Sequence, residues 1–171
     1  MKKIICILCL LMMFIIVGCE NNKLPDPNTN LEFWIGENVD SIDLSKYQVK
    51  HGMFGGVQFY GTNYIPTVDP NKNQIDPSEC VLYTITSYPD YSDKEQHITS
   101  IYITDPNIYF YNISLNTSIT DFKNVMENLG FEVDTITDNY CKVKYGKYTI
   151  AISKECIIIN FNVENKEGII F

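Results

Sequence analysis

Arginine is missing from this 171-residue chain: all 13 basic residues are lysines, and 21 acidic residues leave a formal net charge of −8. Beyond Lys2 and Lys3 no two lysines are adjacent. A polyanionic backbone needs clustered cations, so nucleic acid is excluded as a partner. Histidine is almost as scarce. His51 and His97 are the only two, and neither has a partner at a recognisable spacing. With no GxSxG and no HExxH, the usual general bases and activated nucleophiles are lacking. The chain is therefore expected to be non-catalytic, without cofactors. The one enzymatic alternative is a glycan hydrolase with an Asp/Glu pair, because Asp90, Asp93 and Glu95 share one polar stretch.

What is present first is a segregated N-terminus. Lys2 and Lys3 precede an unbroken apolar run from Ile4 to Val17, which ends in Ile16-Val17-Gly18-Cys19. The run is shorter than the roughly 20 apolar residues of a membrane-spanning helix. This arrangement resembles the lipobox of bacterial lipoproteins. The resemblance implies that residues 1–18 are a cleaved signal peptide and that Cys19 carries the lipid, palmitate among its acyl chains. It implies a protein anchored on the extracytoplasmic face of the cell membrane. Loss of Lys2 and Lys3 with that segment leaves 11 lysines against the same 21 acids, a formal charge of −10. Such acidity opposes adhesion to anionic headgroups, so the acyl anchor is the expected membrane contact.

Three cysteines remain in the domain, Cys80, Cys141 and Cys156, with no CxxC and no Cys/His cluster. Structural zinc is excluded on that spacing. Each borders strand-like residues and is expected as a reduced core or sheet cysteine; a bridge from Cys141 to Cys156 is the less favoured alternative.

The span 19–30, rich in Asn and Pro, predicts a flexible tether. Residues 31–171 are expected to form a single α+β domain. Asn38 to Tyr47 suggests a short helix or helical turn with Asp40 as cap. Gly56 to Tyr60, Cys80 to Tyr88 and His97 to Thr104 are strand-like, the last with a bulge near Ser100, and Ile108 to Leu115 is a further strand or an extended arm. Asp69, Asn71 and Asn73 have the alternate spacing of calcium-loop ligands. Gln74 and Cys80, however, occupy the positions that need glycine and a bidentate glutamate, so the loop is expected to hold no metal.

Ser118 to Gly130 carries the clearest local signal. Ser118 is placed as N-cap with Asp121 three residues on, and Phe122, Val125, Met126 and Leu129 repeat at helical spacing. Gly130 and Phe131 follow as a C-terminal stop. After it, Glu132 to Thr135, Tyr140 to Tyr145, Lys147 to Ser153 and Cys156 to Val163 predict an antiparallel meander. In the last of these, Ile157, Ile159 and Phe161 share one face, and Ile158, Asn160 and Asn162 the other. The fold expected is an antiparallel sheet with one main helix on one face, with tandem half-repeats over 31–107 and 108–171.

The helix followed by strands from Ile113 onward resembles β-lactamase-inhibitor-like modules and the small lipoprotein of outer-membrane assembly. That resemblance implies an inhibitor or assembly factor for one cognate envelope protein. The residues themselves suggest a binding module for a protein, peptide or cell-envelope component, with Trp34, Phe54, Phe59, Tyr60, Tyr64, Tyr88 and Tyr91 as the candidate surface, since aromatics pair apolar area with a polar tip.

Overall fold

The computed structural model describes residues 24–51, 57–61, 80–85 and 97–161. They form an α+β fold. Eight strands make one antiparallel sheet: β1 (Val49–His51), β2 (Val57–Tyr60), β3 (Val81–Ile85), β4 (Ile98–Ile103), β5 (Glu132–Thr137), β6 (Tyr140–Tyr145), β7 (Tyr148–Ser153) and β8 (Ile157–Phe161). The spatial order is β1-β2-β3-β4-β8-β7-β6-β5. Two four-stranded meanders thus meet at a seam where β4 pairs antiparallel with β8, Ile101 opposite Ile159 and Ile103 opposite Ile157. The order on one side of the seam mirrors that on the other. Thr99 is the extra residue where Ser100 pairs Thr84 but Ile98 pairs Ile85, which puts the bulge beside the residue the pattern suggested.

Because strand side chains alternate, the two halves present one continuous apolar face. Phe59, Tyr83, Ile85, Ile101, Ile103, Ile157, Ile159, Ile150, Ile152, Cys141 and Val143 lie on it, all at 1 % exposure or less. The α-helix, α1 (Ile119–Asn128), covers β5, β6 and β7 on that face. Its buried residues are Phe122 and Met126, while Val125 and Leu129 pack at the margin.

Local chemistry accounts for both ends of α1. The Ser118 hydroxyl accepts from the Asp121 N–H at 3.1 Å and donates to the Asp121 carboxylate at 2.7 Å. Gly130 takes φ +89°, and the N–H of Phe131 returns to the Met126 carbonyl at 3.0 Å. This is the left-handed stop that glycine adopts without Cβ strain. Replacing Ser118 with Ala is expected to destabilise the protein by about 1 kcal/mol, measured by urea denaturation, because Asp121 and the first-turn N–H groups lose their partner.

Over the first meander the cover is irregular. The short helix or helical turn expected between Asn38 and Tyr47 is two 3-10 turns, Val39–Ser41 and Leu44–Lys46. Their caps are Asn38 and Asp43, not Asp40, because Asn38 Oδ1 and Asp43 Oδ1 are the atoms that accept the first free N–H groups. Phe33 fills the space between them and the sheet, edge-on to Tyr47, Phe59 and Tyr83.

Two segments depart from expectation. Composition predicts a tether over 19–30, but from Leu24 the chain is docked. Leu24 is 8 % exposed. The Pro27 carbonyl accepts from the Tyr111 N–H at 2.6 Å, the Pro25 carbonyl accepts from the Tyr111 hydroxyl at 2.7 Å, and Asn30 exchanges bonds with Asn107 and Tyr109. Asn and Pro are polar enough for a linker, but here their backbone groups complete those of a second irregular segment. That second segment is Ile108 to Leu115, expected as a further strand or an extended arm. It is instead a tight reversal, with Tyr111 and Asn112 at φ 50° and 61°, closed by an N–H of Ile113 donating to the Phe110 carbonyl at 2.7 Å.

Candidate functional site

The helix and the 3-10 turns pack on one side of the sheet. The other side is different in chemistry. Register places Leu82, Tyr102, Ile158, Ala151 and Lys142 in one row across β3, β4, β8, β7 and β6. A parallel row holds Gln58, Thr84, Ser100, Asn160 and Thr149, with Lys144 and Glu132 at its far end. Leu82, Tyr102, Ile158 and Ala151 are half-buried and belong to no part of the core cluster. From Gln58 to Thr149 these rows carry no formal charge, in a chain of net −8.

Hydrogen bonds tie the polar row together. Ser100 donates to Asn160 Oδ1 at 2.7 Å across the seam, and Gln58 Nε2 donates to Thr84 at 3.4 Å. Charge appears at the margins: Lys50 follows Gln58 in register at the β1 edge, and toward the β5 edge Lys142 pairs Asp134 at 3.0 Å and Lys144 approaches Glu132 at 3.6 Å. Asp134 is the extra residue of a β5 bulge, and together these features discourage strand addition at that edge. At the opposite end of the strands lies a row of small polar groups. Thr104 bonds the Cys80 backbone, and the Ser153 hydroxyl accepts from the Cys156 N–H at 3.2 Å. Burial raises the Tyr102 phenol above its ordinary range, with the Cys156 thiol adding to it.

This face combines apolar area, amide and hydroxyl groups and one central tyrosine, with charge displaced to the rim, as in the cores of protein interfaces. The imidazole of His97 is engaged with the Gly36 carbonyl at 3.0 Å and holds a turn. Among the described residues no three His, Cys, Asp or Glu side chains converge on a metal position, and no helix is long and apolar enough to cross a membrane.

Of the aromatic residues singled out from the sequence, Tyr60 pairs with Leu82 and so lies at the β2 end of the first row, while Phe59 and Trp34 pack against the core. Phe59 is fully buried and stacked on Tyr83 at 5.1 Å, so it is a core residue and offers no recognition surface. Trp34 packs against Phe110 and Tyr111 at 5.9 and 6.0 Å. Tyr60 is 6 % exposed. Phe54, Tyr64, Tyr88, Tyr91 and the calcium-like Asp69, Asn71 and Asn73 lie outside the described residues, as do residues 1–23 with Cys19. Among the described residues Cys80, Cys141 and Cys156 form no disulfide. Cys141 faces the helix side, where burial pushes its thiol pKa up.

The residues of the open face were within reach of the alternation in β4 and β8, which already separates Ile158 and Asn160 from Ile157 and Ile159. What alternation does not reveal is that those two strands are neighbours. No protein-family model, no curated protein and no solved structure matches this chain.

Proposed function

We propose that this chain is a lipid-anchored, extracytoplasmic, non-catalytic binding module that recognises a protein, peptide or cell-envelope component through the open face of its sheet. One observation carries the reading: the charge-free rows centred on Tyr102, Ile158, Ser100 and Asn160, in an otherwise acidic molecule. The lipobox-like residues around Cys19 supply the anchor. Eight strands about 4.8 Å apart and some five residues long span roughly 600 Å², close to the ~800 Å² each partner contributes to a standard protein interface. That size favours a single cognate envelope protein, as an inhibitor or assembly factor would have.

Site-specific photo-crosslinking in intact cells tests this. A benzoylphenylalanine at Ile158 is expected to trap one discrete partner, one at exposed Glu127 on α1 none, and Tyr102→Lys is expected to abolish the Ile158 adduct. Equal adducts at both positions, or an Ile158 adduct indifferent to Tyr102→Lys, would remove the open face from consideration.

A further inference from the structure

We infer that the end of the domain carrying Tyr145, Lys147 and Tyr148 rests on the bilayer surface, held there by the docked segment that begins at Leu24. The inference depends on the lipid-anchor reading of Cys19. With the lipid there, only residues 20–23 separate the membrane from Leu24, and five Cα steps reach at most about 18 Å. The domain has little room to move away.

The point at which the chain enters the domain is also fixed. Leu24 is part of the core cluster, and Pro25 and Pro27 are bonded to Tyr111 at 2.7 and 2.6 Å. Tyr111 lies 6.3 Å from Phe131, which lies 5.2 Å from Tyr145. The Asp26 carboxylate and the Tyr145 and Tyr148 phenols are near enough to bear electrostatically on the Tyr111 hydroxyl. The anchor therefore emerges beside the turn Tyr145-Gly146-Lys147-Tyr148, where Gly146 and Lys147 are exposed and both tyrosines half-buried. Tyrosine suits the headgroup layer because its ring is apolar and its tip polar, and a lysine stem can lie along the interface with its ammonium in water. A lipid surface is the occupant, since a chain tied this closely brings the bilayer to this end. The strands run away from that end, so the open face stands upright and looks sideways along the membrane.

Trp34, the only tryptophan in the chain, sits in this cluster and makes the test direct. Full-length lipidated protein is bound to phosphatidylcholine vesicles containing a dansyl-headgroup lipid, and energy transfer from Trp34 is measured. It is compared with a Trp34→Phe, Asn139→Trp chain, whose donor lies in the β5–β6 turn at the far end of the strands. Transfer from Trp34 is expected to exceed that from position 139 several-fold. A ten-residue Gly-Ser insertion before Leu24, adding roughly 18 Å of mean reach, is expected to lower the Trp34 signal several-fold in the otherwise native chain. Equal transfer from the two positions, or a Trp34 signal that the insertion does not change, overturns the inference. Failure of the wild-type protein to float with the vesicles, or equal flotation of Cys19→Ala, would instead overturn the anchor.

Discussion

A Phe122→Ala chain is expected to lose about 3–5 kcal/mol of stability, a large part of the 5–15 kcal/mol typical of a domain. Phe122 is fully buried and sits on the one helix that covers β5, β6 and β7. Truncation removes the ring from the centre of that contact, and the sheet below, walled by Val143 and Ile150, cannot close over the gap without moving strands. Calorimetry should show Tm lowered by about 10–15 °C at roughly 3 °C per kcal/mol. The partly buried Val125→Ala, on the same stripe but at its margin, should cost about 1 kcal/mol. Similar losses at both positions would mean that the helix does not clamp the sheet through Phe122.

Alkaline pH should unfold the protein through its buried tyrosines. Tyr83 is 1 % exposed and Tyr111 6 %. Burial raises both phenols well above their ordinary value of 10.0; Glu32 and Glu37 add to this at Tyr83, and Asp26 at Tyr111. Tyr47, whose hydroxyl donates to Glu32 at 2.6 Å, is pushed up to about 12, first by burial and then by that carboxylate. Below pH 10 these phenols are protonated in both states and contribute no pH dependence. As pH rises through 10 the unfolded chain releases protons that the folded one still holds. Stability then falls by about 1.4 kcal/mol per pH unit for each buried phenol, so about 3 kcal/mol per unit for Tyr83 and Tyr111 together. Urea denaturation between pH 9 and 11.5 should show that slope above roughly pH 10. Tyr83→Phe should reduce it by about 1.4 kcal/mol per unit. An unchanged slope would mean that Tyr83 ionises freely in the folded state.

Features encoded within about ten neighbouring residues are legible in the chain before it folds. The limits of α1 are visible because cap, stripe and glycine stop all act on groups of the same segment, with Ser118 and Asp121 three apart and Phe131 bonding back to Met126. The C-terminal meander is legible for a similar reason: short turns at Tyr145-Gly146-Lys147 and Ser153-Lys154-Glu155 join strands whose alternation assigns their faces. How the two halves join becomes visible only in the folded chain. The β4–β8 seam pairs residues some 58 positions apart, and no local preference selects Ile159 over any other isoleucine as the neighbour of Ile101. That one pairing makes two meanders a single sheet and brings Ser100 to Asn160. It creates an open face that neither strand announces alone. The docking of Pro25 to Asn30 was equally hidden, because a polar, proline-rich stretch satisfies its backbone groups in water as readily as against Tyr111. Its place in the fold depends on a reversal at Tyr111 and Asn112, both at positive φ.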